Sequence, residues 1–184
     1  MRNLVYAINL SADGCCDHTK MVGREEDLEH YRELFATVDV QIFGRKTYEL
    51  MVPYWPDVAK DPTESEASRR FGEAFLALDR VVFSRTLKRV DEQNTTLISG
   101  DLKEEVLQLK RAPGRKILVG GVEVPGQLME MGLVDEFHFV VQPVLVGQGR
   151  RLGEGVSLAE RLDLKLVETK VLKSGAVALH YVKL

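Results

Sequence analysis

Cysteine is scarce in this chain: Cys15 and Cys16 are the only two, and they are adjacent. A bridge between neighbours would close a strained ring and staple nothing over distance, so a disulfide framework is excluded and a reducing compartment fits. With His18 they would crowd three metal ligands into four positions, which matches no common zinc spacing, and they read as loop thiols. Long apolar runs are missing as well; nothing approaches the roughly 18 residues that span a bilayer. The opening MRNLVYAINL passes straight into a strand-like pattern without a signal-peptide cleavage site, so the expectation is a cytoplasmic protein with no membrane partner. Nor is there a basic surplus. A net charge of −3 argues against a nucleic-acid partner, which takes a dense field of Lys and Arg, so any anion site must be local. Neither G-x-G-x-x-G after the first strand nor G-x-x-x-x-G-K-S/T occurs, so the usual Rossmann and P-loop assignments lack their signatures.

What is present is the balance of a folded protein. At 184 residues, 45% hydrophobic and 29% charged, the chain suits one domain, 1–184, with a sizeable core. Leu4 to Leu10 is apolar and β-prone and ends at the turn cluster Ser11-Ala12-Asp13-Gly14. Arg24 to Ala36 places Asp27, Tyr31, Leu34 and Phe35 on one helical face, which puts the Asp27 carboxylate on the inward stripe. Val38 to Phe43 reads as a strand, followed at once by Gly44-Arg45-Lys46-Thr47 and a helical Tyr48-Glu49-Leu50-Met51. Three prolines between Val52 and Ser65 predict a loop long enough to cover a site, and Glu66 to Leu78 resumes a helix.

A second unit repeats the alternation. Val81-Val82-Phe83 is a strand that leaves through Ser84-Arg85-Thr86, Thr96-Leu97-Ile98 is another, and Asp101 with Glu104 forms a capping box for a helix stopped by Pro113-Gly114. Lys116 to Val119 is a buried strand, Gly120-Gly121 the turn, and Glu123 to Met131 a helix with Pro125 near its start and Gly132 past its end. Then the pattern changes to alternation, with Phe137, Phe139 and Val141 on one face, and Val144 to Val146 after Pro143. Leu164 to Leu172 and Val177 to Val182 are strands joined by the hairpin signal Lys173-Ser174-Gly175. The fold class is therefore α/β, a single-domain, mixed and mainly parallel sheet with helices on both faces and an antiparallel C-terminal hairpin. The late apolar residues Phe137, Phe139, Val144 and Val146 suggest a surface for self-association.

Three strand ends carry residues suited to phosphates. At Gly120-Gly121-Val122 the absent side chains let the backbone approach a pyrophosphate, and the following helix offers free N–H groups at its positive end. Gly44-Arg45-Lys46-Thr47 adds charge to a similar turn, while Arg85 with Ser84 suits a 2′-phosphate and so favours NADPH over NADH. Ligands gather beyond the carboxyl ends of strands in open α/β sheets, so the three can converge. Gly147-Gln148-Gly149 follows an alternating strand and reads as a bend.

The segments YAINLSADG, EEDLEHYREL, IFGRKTYELMVPYWP, FSRTL, ILVGGVEVPGQL and VDEFHFVVQPVLVGQGRRL, in this order and spacing, resemble the dihydrofolate-reductase-like superfamily. The likeness is strongest to stand-alone proteins similar to the C-terminal reductase domain of the bifunctional riboflavin-biosynthesis deaminase-reductase. It implies an NADPH-dependent oxidoreductase, a homodimer, that passes a hydride to a pterin or a ribosylaminopyrimidine. It also implies that Gly44, Arg45, Lys46 and Thr47 hold the cofactor's phosphates, Ser84 and Arg85 its 2′-phosphate, and Gly120, Gly121 and Val122 its pyrophosphate. Ala7 and Ile8 would line the nicotinamide with backbone groups; Asn9, Asp13 and Trp55 would lie toward the substrate, and Asp27 would grip the ring as the catalytic acid. A true dihydrofolate reductase is an alternative, although Cys15 to Arg24 lacks the Trp-Pro pattern of one. A nucleotide-binding regulatory module without chemistry and a flavodoxin-like FMN carrier are others.

Overall fold

Residues 1–184, all described by a computed structural model, build one eight-stranded sheet in the order β4-β3-β2-β5-β1-β6-β8-β7. The strands are β1 (Leu4–Ser11), β2 (Val38–Gly44), β3 (Asp79–Phe83), β4 (Thr95–Ile98), β5 (Lys116–Val119), β6 (Glu136–Gln142), β7 (Leu164–Val171) and β8 (Val177–Lys183). Every pairing from β4 through β6 is parallel, and β8 runs antiparallel to both β6 and β7. The helices are α1 (Glu25–Phe35), α2 (Arg45–Met51), α3 (Tyr54–Lys60), α4 (Glu66–Leu76), α5 (Leu102–Arg111) and α6 (Glu123–Glu130). The expected mixed sheet, mainly parallel with a C-terminal antiparallel hairpin, is what forms.

Strand β1 shows why the apolar runs are continuous rather than alternating. It lies in the middle of the sheet with helices on both faces, so nearly every side chain is buried. Leu4, Tyr6, Ile8 and Leu10 join Val106 of α5 and Leu128 of α6 on one face. Val5 and Ala7 join Leu34, Phe35, Phe71 and Phe75 of α1 and α4 on the other. Full burial of one such aromatic removes about 2–3 kcal/mol of apolar exposure, so this double-sided core fixes the strand registers. At the entrance to β3 the buried Arg80 guanidinium donates to the carbonyls of Phe75 (3.2 Å), Leu76 (3.3 Å) and Leu78 (3.3 Å), which ends α4 and aims the next strand.

Two expectations are corrected here. The segment Val52 to Ser65 is not wholly loop, because Tyr54–Lys60 is helix α3. Pro53 precedes it and Pro56 falls in its first turn, where a missing N–H costs nothing, since those donors have no partner in the helix anyway. Phe137 and Phe139 are not surface either: both stand edge-on to Tyr6, at 6.4 and 6.3 Å between ring centres, and Phe137 is 1% exposed. Val144 to Val146 falls in the connection after β6, outside the sheet.

Candidate active site

Because β3, β2, β5 and β1 are neighbours and parallel, their carboxyl ends share one edge of the sheet. The three phosphate-type turns leave that edge side by side. Gly120 donates its N–H to the Ile42 carbonyl (3.2 Å), which ties the β5 exit to β2. Gly121 has φ +89, and a Cβ built on it would collide with Thr47 Oγ1 of α2. A Cβ on Gly44 would lie 3.1 Å from Val124 of α6. The Lys46 ammonium reaches Glu123 at 2.9 Å across the same gap. Glycine at 44 and 121 thus allows two turns to pack backbone against side chain.

These turns are fixed from below. The Tyr6 hydroxyl, on a ring with no exposure, donates to the Gly121 carbonyl at 3.1 Å, and burial pushes the phenol well above its ordinary pKa, so it stays a donor. The N–H groups of Gly121 and Val122, two residues that line the cleft just before α6, find no acceptor in the protein. At the β3 exit, Ser84 Oγ accepts from the N–H groups of Thr86 (3.2 Å) and Leu87 (2.9 Å) and lies 3.4 Å from Thr86 Oγ1, which fixes the turn. Arg85 beside it is exposed and has no acidic partner, whereas Arg45 pairs with Glu49 (3.1 Å) on its own helix.

One cavity of about 860 Å³ runs along this edge. Gly44 to Thr47, Ser84, Arg85 and Gly120 to Val122 line it, together with Ala7, Ile8 and Asn9 of β1 and Trp55 of α3. Two of the residues expected from the sequence do not. Asp13 lies off the wall and staples loops: its carboxylate accepts from Ser11 Oγ (2.6 Å) and from the N–H groups of Val146 (3.1 Å) and Gly147 (2.8 Å), with Arg151 at 3.1 Å. The Ser11 hydroxyl first, then those two amides, hold its pKa well below the usual carboxylate range.

Asp27 also stands behind the wall. It is 2% exposed, and its two oxygens accept from Ser174 Oγ (2.9 Å), Gln142 Nε2 (3.0 Å) and the Arg24 N–H (3.1 Å). The cavity meets Gln142 instead, at the end of β6. Gln142 and Gln41 were missed in the sequence, and so was Tyr6 as an anchor. The polar Gln41 inside the apolar VDVQIF run was a signal that this strand faces something other than plain core. Tyr31, on the inward stripe with Asp27, does reach the wall.

The fold is an α/β domain, and its cavity, bounded by glycine turns at the carboxyl ends of adjacent parallel strands, lies where open α/β sheets collect their ligands. The chain is a member of the RibD C-terminal domain family, which it matches over residues 2–178. It is 32% identical over 152 residues to the uncharacterized protein YyaP of Bacillus subtilis (strain 168), covering 82% of this chain and 77% of that one. Among solved structures it resembles a Shewanella sp. PV-4 protein provisionally assigned to riboflavin biosynthesis, at TM-score 0.73 and 19% identity over 100% of this chain and 99% of that one. RibD of Acinetobacter baumannii matches at TM-score 0.68 and 16% identity over the whole of this chain, which spans 58% of that longer protein. No helix is long and apolar enough to cross a membrane.

Proposed function

We propose that the chain is an NADPH-dependent reductase acting on a small heterocycle, a pterin or a ribosylaminopyrimidine. The observation that carries this is the convergence on one cavity of two free backbone N–H groups, a glycine turn that admits no side chain, and an arginine without an acidic partner. Those are the features that a dinucleotide's pyrophosphate and 2′-phosphate require. Membership in a family named for a riboflavin-biosynthesis protein supports the same reading.

Gly121 and Val122 would hold the pyrophosphate, Arg45, Lys46 and Thr47 the neighbouring phosphates, and Ser84 with Arg85 the 2′-phosphate. Bound there, NADPH supplies a hydride. The protein's own part is orientation: Ala7 and Ile8 offer a flat backbone surface beside the cavity, and Trp55 against Phe71 (4.3 Å between ring centres) gives an apolar wall that excludes water. A titration followed by nicotinamide fluorescence tests the reading. Saturable binding of NADPH in the micromolar range is expected; none in that range overturns it.

The sealed position of Asp27 favours giving it no direct hold on the cofactor. Asp27→Asn replaces one of the two oxygens that accept from these donors, and we expect a loss of about 1–2 kcal/mol in thermal unfolding with NADPH affinity unchanged within about twofold. A tenfold loss of NADPH affinity would contradict this. We further propose a homodimer, now through the sheet edge rather than the buried phenylalanines. Strand β7 has no outer neighbour and exposes Leu166 (49%), Val167 (54%) and Val171 (74%), a pairing template that soluble monomers usually blunt. Light scattering should report twice the 20.7 kDa chain mass, and Val171→Lys should return it to the monomer.

A further inference from the structure

We propose that Glu136, His138 and His180 bind one divalent transition-metal ion of the zinc type, and that this ion clips β8 of the C-terminal hairpin to β6. None of the three lines the cavity, so the site stands apart from the reductase reading and does not depend on it.

Strand geometry brings the three together. Glu136 and His138 are two positions apart on β6, so their side chains leave the same face of the sheet. His180 of β8 is the direct cross-strand partner of His138, and the two imidazoles stack with 4.1 Å between ring centres, 23° from parallel. One ligand atom from each residue lies within 4.8 Å of the other two. His180 Nε2 is 3.0 Å and His138 Nε2 3.9 Å from Glu136 Oε2. A tetrahedral ion bonded at about 2.0–2.1 Å holds its ligands about 3.4 Å apart, so small side-chain rotations complete the set. Two imidazole nitrogens and a carboxylate oxygen suit zinc and its neighbours in the first transition row, whereas calcium and magnesium take oxygen ligands.

The surroundings support a ligand here. His138 Nε2 is buried without a hydrogen-bond partner, which is uncommon in a folded chain, and a metal bond would use its lone pair. Asn3 Nδ2 donates to Glu136 Oε1 at 2.7 Å and orients the carboxylate, as outer partners of metal ligands do. Without an ion, Lys116 Nζ is the countercharge, 2.8 Å from Glu136 Oε2, and its side chain is 38% exposed, so it can swing into water when an ion takes that oxygen. The ion would also replace the proton that His180 Nε2 shares with Glu136. The histidine side chains, 14% and 19% exposed, leave a path from solvent.

Calorimetric titration of zinc chloride into the chelator-stripped full chain tests this. One site per chain with micromolar or tighter affinity is expected, and saturating zinc should raise the thermal midpoint. His138→Asn and His180→Asn should each weaken zinc by at least about thirtyfold and remove the thermal shift, while His18→Gln, beside the two cysteines, stays within about twofold. Lys116→Met removes a competing cation and should tighten zinc by about tenfold, which a cluster serving only as a hydrogen-bonded ion pair would not do. Cobalt(II) in place of zinc should absorb in the visible without a thiolate charge-transfer band, which separates this site from Cys15 and Cys16. No saturable zinc binding, binding retained in both histidine variants, weaker binding in Lys116→Met, or a thiolate band overturns the proposal. Far-ultraviolet circular dichroism shows which variants fold, and if one histidine variant does not, the other and Lys116→Met decide. Zinc binding without NADPH binding sinks the reductase reading alone, and NADPH binding without zinc binding sinks this inference alone.

Discussion

Gly121→Ala should weaken NADPH binding by about a hundredfold. At φ +89 an L side chain is strained, at a cost of about 1–2 kcal/mol, and the added methyl collides with Thr47 Oγ1 as well. The turn cannot swing away without breaking the hydrogen bond from Tyr6 to the Gly121 carbonyl, and Tyr6 is fixed among Phe137 and Phe139. Relief must therefore come from the side facing the cleft, where the free N–H groups of Gly121 and Val122 are held in place. Losing one charge-assisted bond there adds about 1.5–3 kcal/mol, and since each 1.4 kcal/mol is tenfold, a hundredfold loss is the lower end of what the two contributions allow together. Gly120→Ala is the control, since its new Cβ meets only the Phe43 ring at 3.8 Å and φ is not positive. Its affinity should stay within about fivefold of wild type, measured by the same nicotinamide fluorescence. If Gly121→Ala binds as well as Gly120→Ala, the turn does not hold the pyrophosphate.

The contrast between those glycines also shows what a sequence reveals about a site. Periodicity was enough for the sheet, because β1 and β5 are apolar runs bounded by turn residues and the helices between them carry three- and four-residue spacing. Strand-end position was enough to group Gly120-Gly121, Arg45-Lys46 and Ser84-Arg85, since parallel strands put their carboxyl ends on one edge. What periodicity cannot show is which side of a wall a polar group faces. Asp27 was rightly read as inward, yet inward here means toward Ser174 and Gln142, more than a hundred positions away in sequence. The family resemblance set Asp13 toward the substrate, but the partners that claim it come from the connection after β6. Helix α3 was hidden for a different reason: two prolines that break a helix interior are harmless at its first turn, and only the tertiary contact of Trp55 with Phe71 shows that a helix pays off there.

Arg85→Ala should separate the two nicotinamide cofactors, weakening NADPH by about 30- to 100-fold while changing NADH less than about twofold. Of the four cations on the cavity wall, Arg85 alone has no acid nearby: Arg45 is 3.1 Å from Glu49, Lys46 2.9 Å from Glu123 and Arg150 3.7 Å from Glu123. A guanidinium without such a partner retains its full capacity for two parallel bonds to a phosphate, and a bond of that type contributes about 2–3 kcal/mol. The turn around Ser84 Oγ holds the β3 exit rigid, so little ordering opposes binding. Exposure makes the contribution sensitive to ionic strength, and the NADPH preference of the wild type should shrink as salt is raised while that of the alanine variant stays flat. Arg85→Lys should fall between, keeping the charge but not the paired geometry. A loss shared equally by NADPH and NADH would move Arg85 from the 2′-phosphate to a group common to both cofactors, and no loss at all would remove it from the site.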